Sequence, residues 1–511
     1  MIPGFTFMAA PTPLLPTFDD FRPLAESGRL VPVFTQLTSD FETPLAAYCR
    51  IRDGAHSFLL ESAESSETIG RYSFLGTAPR LVMTQRGKEV TLEDEQGKRV
   101  HQTDRDPLAE LEALMAPYRP VDARTFGLPL FTGGAVGYLG FDCVRYFEPV
   151  VGEPPPDVLG LPDAVFLITD TLVIFDHLLR RITVLANVLV GEGETAEAAY
   201  ERGRAKIDDL LARLQAPIAT PVFNTLRPPT TATEATSNTT REEFHAMVHR
   251  AKEYILAGDI FQVVPSQRFS TPFDGDPVDL YRALRHVNPS PYMFLLEFPN
   301  RLALVGSSPE VHVRCLEGKI EIRPIAGTRW RGKTPEEDQA LADDLLADPK
   351  ECAEHLMLVD LARNDVGRIA DFESVKVRDF MIIERYSHVM HIVSHVTGQL
   401  KQGHTAYDVM RATFPAGTVS GAPKVRAVQI LYGLEKHKRC AYAGAVGYFG
   451  FDGNHDSCIT LRTCVLNQGM AHVQAGAGVV ADSDPEYEYN ETINKARGML
   501  RALETARGIR A

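Results

Sequence analysis

Nine residues in the first third of the chain, Gly134-Ala-Val-Gly-Tyr-Leu-Gly-Phe-Asp142, return near the C-terminus as Gly444-Ala-Val-Gly-Tyr-Phe-Gly-Phe-Asp452, with one substitution. Either a glycine-rich strand has arisen twice by chance, or two halves of the chain share one strand plan. The second reading limits the fold strongly, because each half must then supply matching strands to large sheets. Short apolar runs such as Arg301-Leu-Ala-Leu-Val305 and Ala164-Val-Phe-Leu-Ile168 fit that plan as strands between helices. The expected class is α/β (α+β), with large sheets.

At 511 residues with 44% hydrophobic content, the chain is too long for one ordinary core. One stretch is poor in core formers, running from Ala216 through Pro228-Pro-Thr-Thr-Ala-Thr-Glu-Ala-Thr-Ser-Asn to Thr240. Its Pro, Thr and Ser favour loop. It divides the chain into residues 1–215, a linker at 216–240, and residues 241–511. A helix is expected directly after it. Thr240 and Glu243 have capping-box spacing, and Phe244, Met247, Val248, Ala251 and Ile255 recur on one face.

The charge balance excludes some functions. With 53 basic and 67 acidic residues the net charge is −14, and no basic run occurs, which argues against nucleic-acid binding. A local cationic site for a small anion remains compatible with an acidic protein. The seven cysteines are odd in number and form no CxxC pair, as expected of reduced thiols in the cytoplasm. The N-terminus lacks a basic segment and is broken by prolines, and no apolar run is long enough to span a bilayer. The expected protein is therefore cytoplasmic, with no membrane contact.

Two segments repeat one chemical arrangement. Asp348-Pro349 and Asp484-Pro485 both read as helix starts, with Asp at the N-cap and Pro at the first position. Glu351 and Glu354 follow the first start, three residues apart. Glu488, Glu491 and Lys495 follow the second, again on one face. Such pairs are ordinarily solvated surface. If the two pairs converge, however, four carboxylates repel unless a hard cation lies between them, and Mg²⁺ suits oxygen ligands. Gln474-Ala-Gly-Ala-Gly478 and Pro324-Ile-Ala-Gly-Thr-Arg329 offer backbone N–H groups that could meet an anion.

Further strings occur in order: Gly258-Asp-Ile-Phe-Gln-Val-Val-Pro-Ser-Gln-Arg268, Gly306-Ser-Ser-Pro-Glu310, the helix segment Lys350 to Asp365, Phe414-Pro-Ala-Gly-Thr-Val-Ser-Gly-Ala-Pro-Lys424 and Ala475 to Ser483. Together they resemble the chorismate-utilising enzymes, and among them the large subunits of anthranilate synthases, over nearly the whole chain. The resemblance implies a layered fold of two facing large sheets flanked by helices. It implies conversion of chorismate and ammonia to anthranilate and pyruvate through aminodeoxyisochorismate, in tryptophan biosynthesis. It places Mg²⁺ on Glu354 and Glu491, with Glu351 and Glu488 in support. It assigns chorismate to Gly327, Thr328, Tyr442, Arg462, the amides of Gly476, Ala477 and Gly478, and Lys495.

In the same way Glu310 is the expected acid that protonates the leaving C4 hydroxyl, and His391 the group linked to pyruvate elimination. Gln262 stands where water-adding relatives carry an activating lysine, and Ala326 where relatives making the 4-amino product carry a nucleophilic one. Both substitutions favour anthranilate over those products. The runner-up is a 2-amino-2-deoxyisochorismate synthase, which stops before pyruvate loss. No cysteine lies in the Gly-x-Cys-x-Gly turn of a glutaminase, so ammonia is expected from a separate glutamine amidotransferase subunit in a hetero-oligomer. Leu59-Leu-Glu-Ser62, which runs on through Glu67, and Pro291-Tyr-Met293 resemble the two halves of a tryptophan-binding regulatory element. Ser62 is the expected polar anchor there, and Pro291, Tyr292 and Met293 the apolar wall.

Overall fold

The computed structural model describes residues 13–62, 70–218, 234–386 and 389–509. Residues 63–67 of the expected regulatory element, and 219–233 of the expected linker, lie outside the described residues. Two large, mainly antiparallel sheets dominate the fold, one of eleven strands and one of twelve. Helices cover their outer faces. The longest is Pro485–Arg507, which packs on the strand Met470–Gly476 and on the helices Arg241–Leu256 and Pro277–Val287.

Each sheet joins the two parts of the chain at its middle. In the eleven-stranded sheet the junction is the pairing of Ser57–Glu61 with Tyr292–Glu297, centred on Leu59 opposite Leu295. In the other sheet, Gly134–Leu139 pairs with Ala445–Gly450, and Gly137 lies opposite Gly447. The two copies of the repeated sequence are thus antiparallel neighbours around a local two-fold axis. Their glycines are needed for this close approach: a Cβ on Gly137 would meet the Val165 carbonyl oxygen at 1.9 Å, and one on Gly447 the Asp456 carbonyl oxygen at 2.1 Å.

Strand order obeys the same symmetry. Outward from the first junction, one side runs Ser57–Glu61, Tyr72–Thr77, Thr171–Asp176, Arg181–Val188, Val31–Thr38. The other runs Tyr292–Glu297, Ala303–Ser308, Thr463–Asn467, Met470–Gly476, Ser266–Pro272. The two halves share a strand plan. A second, shorter echo sits on the axis: Phe58-Leu-Leu-Glu61 and Phe294-Leu-Leu-Glu297. Each glutamate is gripped by a tyrosine and an arginine. Tyr281 Oη donates to Glu61 at 2.6 Å, with Arg285 at 3.1 Å. Tyr48 donates to Glu297, with Arg52 at 3.3 Å. Tyr281 and Arg285 belong to or border the helix Pro277–Val287, and Tyr48 and Arg52 its counterpart Pro44–Ile51. These buried charges are paired and hydrogen-bonded, so their burial is tolerated.

The expected helix starts are present. Asp348 accepts from the amides of Lys350 and Glu351 at the start of Pro349–Ile369, and Asp484 from that of Tyr487 at the start of Pro485–Arg507. Thr240 and Glu243 form a reciprocal capping box. The end of the expected linker is structured: Thr236 and Ser237 add a short edge strand beside Ser270 and Phe269. All seven cysteines are free thiols. No helix among the described residues is long and apolar enough to cross a membrane.

Candidate active site

The expected glutamates lie on two helices. The helix Pro349–Ile369 carries Glu351 and Glu354 on its first turns, and Pro485–Arg507 carries Glu488, Glu491 and Lys495. The two helix starts lie close together: the Lys350 ammonium on the first acts on both Glu488 and Glu491 on the second. Within each pair the two glutamates act on one another.

Their electrostatics are those of crowded carboxylates. Burial and then Glu354 push Glu351 above the usual glutamate range. Burial and then Glu491 do the same to Glu488. Burial works upward on Glu491 too, but Lys495, 2.8 Å away, outweighs it and holds that carboxyl below its ordinary value. Glu488 Oε2 is buried without a hydrogen-bond partner. An orphaned carboxylate oxygen beside another carboxylate fits a hard divalent cation. Among the described residues, no three carboxylates, imidazoles or thiolates stand close enough to enclose an ion by themselves. Mg²⁺ retains water and takes only one or two protein carboxylates.

Gln262 and the glycine segments complete this wall. Gln262 Nε2 donates to Glu354 Oε1 at 3.1 Å. A Cβ on Gly478 would lie 2.8 Å from that same Nε2, and one on Gly476 2.9 Å from Tyr442 Oη. Gly327 has φ +67°, and a Cβ there would meet Glu351 Oε2 at 3.1 Å. At these positions the absent side chain makes the room. Lys495 Nζ also donates to the Gly476 carbonyl at 3.2 Å. One expectation is corrected. The Ala477 amide is committed to the Pro265 carbonyl at 3.1 Å, so it cannot donate to a bound anion. Ala477 is fully buried and ties this turn to the neighbouring strand instead.

Glu310 sits between the strands Ala303–Ser308 and Val311–Leu316, where the chain passes from one sheet to the other. Burial pushes its carboxyl up to about 7, against the downward pull of the Thr418 hydroxyl, Lys495 and Arg462. Thr418 belongs to the one-turn helix Gly417–Ser420 within the Phe414–Lys424 string. Arg462 adopts φ +45°, a strained conformation for a residue with a side chain. It reaches Asn288 Oδ1 at 3.4 Å. Desolvation by the surrounding protein lowers its pKa from the ordinary arginine value, against the pull of Glu310.

His391, on the strand Val389–Gln399, has its Nδ1 2.8 Å from the Gly327 carbonyl and 3.2 Å from Thr328 Oγ1. A carbonyl only accepts, so Nδ1 carries the proton and Nε2 keeps its lone pair. Burial lowers the imidazole pKa, which keeps the ring neutral. Ala326 precedes this turn on the strand Ile325–Trp330. Glu310, Arg462, Lys495 and the glutamates are thus electrostatically linked, while Gly327 joins His391 to Glu351. Thr418, Asn288 and Lys350 were not singled out in the sequence. Thr418 and Lys350 had a signal, their places in the Phe414–Lys424 and Lys350–Asp365 strings.

The two segments expected to form a regulatory element, far apart in sequence, are adjacent in space. Met293 pairs with Glu61 at the sheet junction, one residue from Ser62, which is half-buried. Met293 is buried. Tyr292 differs: its hydroxyl donates to Asp456 Oδ1 at 2.8 Å and lies 2.7 Å from Arg314 Nη2, so it belongs to a polar cluster. Tyr448 stacks on Phe131 beside Phe74.

Comparison with known proteins agrees with this architecture. Residues 55–501 match the family model of the chorismate binding enzymes. The chain is 50% identical to an anthranilate synthase component 1 of Pseudomonas putida, over 96% of this chain and 98% of that one. It is 48% identical to the Aquifex aeolicus protein of the same name, with the same coverage. The solved structure of anthranilate synthase component I from Streptococcus pneumoniae aligns with TM-score 0.74 at 37% identity, covering 91% of this chain and 99% of that one. A menaquinone-specific isochorismate synthase from Escherichia coli, 17% identical with TM-score 0.68 and covering 93% and 95%, shares the fold. The chain belongs to the chorismate-binding enzyme family.

Proposed function

We propose that this member of the chorismate-binding enzymes is the large subunit of an anthranilate synthase, forming anthranilate and pyruvate from chorismate and ammonia. The observation that carries the reading is the pairing of a carboxyl titrating near 7, Glu310, with a neutral imidazole whose Nε2 is unprotonated, His391. The overall conversion needs one group that gives a proton and another that takes one. Glu310 is poised to protonate the departing C4 hydroxyl, because hydroxide leaves poorly. His391 Nε2 is poised to accept the C2 proton as pyruvate is lost. Arg462 supplies charge-assisted hydrogen bonds to a substrate carboxylate, beside Tyr442 and the Gly476 and Gly478 segment. Gln262 is neutral and tied to Glu354, so it cannot activate water, which favours attack by ammonia.

Glu354 and Glu491, supported by Glu351 and Glu488, would hold Mg²⁺, which when bound polarises the ring carboxylate as a Lewis acid. Ammonia would come from a separate glutamine amidotransferase subunit. L-tryptophan would bind at the sheet junction by Ser62, Pro291, Tyr292 and Met293, and inhibit. The test is direct. Purified protein with chorismate, Mg²⁺ and ammonium should develop anthranilate fluorescence. Consumption of chorismate with accumulation of an aminated, non-fluorescent product would favour the enzyme that stops before pyruvate loss.

A further inference from the structure

Behind Tyr442 lies a second cavity that no role above uses. It is lined among others by Arg268, Thr460, His472 and Gln474, with Tyr442 as part of its wall. About 20 Å³ is open to the centre of a small occupant, enough for a water or an ion of similar size. The strands that build it run against ordinary economy. Ser266–Pro272 and Met470–Gly476 pair antiparallel, with Arg268 opposite Gln474 and Ser270 opposite His472. Along these strands the alternate residues Phe269, Ala471, Val473 and Ala475 are packed into a hydrophobic core. The remaining positions place Ser266, Arg268, His472 and Gln474 in the buried interior. Buried polar groups are costly unless they are bonded.

Most of these groups have partners, and those partners are used up. Gln474 donates to Ser266 Oγ at 2.8 Å, and His472 Nδ1 lies 2.9 Å from Ser270 Oγ. Glu435, a carboxylate that acts on Arg268, is taken by both Arg439 and Ser266. Two groups are left over. Arg268 is only 6% exposed, yet no carboxylate lies within ion-pair distance among the described residues, and its Nε is an orphaned donor. The Thr460 hydroxyl is fully buried and also unpartnered. A fixed positive charge and a vacant hydroxyl donor facing one small void are the chemistry of an anion site.

We propose that this cavity binds a small monovalent anion of chloride size, held by the Arg268 guanidinium and the Thr460 hydroxyl. Occupation neutralises a buried charge one side chain behind Tyr442. The remaining surroundings suit an anion. His472 is kept neutral by burial, its pKa lowered to about 4. Asp157 and Glu435 are the carboxylates whose charge reaches Arg268; the first is exposed at the surface and the second is paired with Arg439.

Bromide is the probe. Crystals of the intact chain grown without chloride and soaked in sodium bromide should show an anomalous bromine peak within hydrogen-bond distance of Arg268. In solution, ³⁵Cl NMR line broadening by the wild type should fall at least fivefold in Arg268→Met, and to a lesser degree in Thr460→Val. A cavity holding only water in the bromide crystals, or equal broadening by wild type and both folded variants, overturns the proposal. If Arg268→Met does not fold, the wild-type anomalous map and Thr460→Val still decide. Neither readout depends on turnover, so the result stands apart from the proposed activity.

Discussion

Replacing Glu310 by glutamine should do two things at once: stop the first chemical step and change how stability depends on pH. The carboxyl titrates near 7 in the folded protein against 4.5 for an ordinary glutamate. A carboxyl raised on folding leaves the native state the better proton binder. Its contribution to stability is present below pH 4.5 and lost as pH rises through about 7. When both states are ionised, the gap amounts to about 3 kcal/mol against the fold. Glutamine keeps the shape and carries no charge, so it escapes that loss. Denaturant unfolding of both proteins should therefore show the stability of Glu310→Gln, relative to wild type, rising by about 2.5 kcal/mol between about pH 5 and about pH 8. Other titrating groups are common to both proteins and cancel in the difference. Amination of chorismate should meanwhile fall on the order of a hundredfold to ten-thousandfold, the usual worth of a general acid. A stability difference that stays constant with pH would show that Glu310 is not held protonated by burial. An active variant would remove it from the chemistry.

Activity should require a divalent cation: EDTA should abolish it, and Glu354→Gln or Glu491→Gln should nearly do so, measured with excess Mg²⁺. His391→Met should still consume chorismate and ammonia but accumulate aminodeoxyisochorismate, detected by chromatography, and no build-up would refute the assignment to elimination. Gln262→Lys should lower anthranilate output, since a lysine would pair with Glu354 and can activate water; unchanged amination kinetics would count against a protecting role for the amide. L-tryptophan should inhibit the wild type, and Ser62→Arg should abolish that inhibition while leaving uninhibited turnover largely intact; equal inhibition of both would place the inhibitor elsewhere.

Local signals were legible because they depend on neighbours in sequence. Asp348-Pro349, Asp484-Pro485 and Thr240 with Glu243 began helices as their capping chemistry required. The repeated nonapeptide foretold a shared strand plan but not that the two copies pair with each other, since pairing partners are set by the tertiary fold. The echo of Phe58–Glu61 in Phe294–Glu297 is four residues long and stands out only once both strands meet on the axis. Backbone availability was equally hidden. Gln474 to Gly478 announces close approach to something, but which amide is already spent, here that of Ala477, follows from a partner two hundred residues away in sequence. Arg462 was expected at the substrate from the resemblance, but its positive φ is visible only in the structure.

The two-fold plan also explains why a ligand at the junction can be specific although the frame around it is nearly symmetric. Tyr138 and Tyr448 are counterparts in the repeat, but their neighbours have diverged. Tyr448 lies opposite Asp456, which in turn lies opposite Arg314. At the equivalent positions Tyr138 lies opposite Val165, and Val165 opposite Thr84. Phe131, stacked on Tyr448, is replaced at the other end by Ala441. One end of the axis thus carries an ion pair, the Tyr292 hydroxyl and an aromatic wall, which suit an amphipathic zwitterion. At the other, Tyr138 turns its hydroxyl to the Pro162 carbonyl at 2.9 Å and fills its own space. The strands of that junction also lead toward Glu310: Tyr292–Glu297 pairs with Ala303–Ser308, which ends two residues before it. A ligand at the polar end can inhibit only by favouring an arrangement that binds chorismate poorly. Chorismate must then weaken tryptophan binding by the same factor, and equilibrium binding of each in the presence of the other measures both sides of that equality.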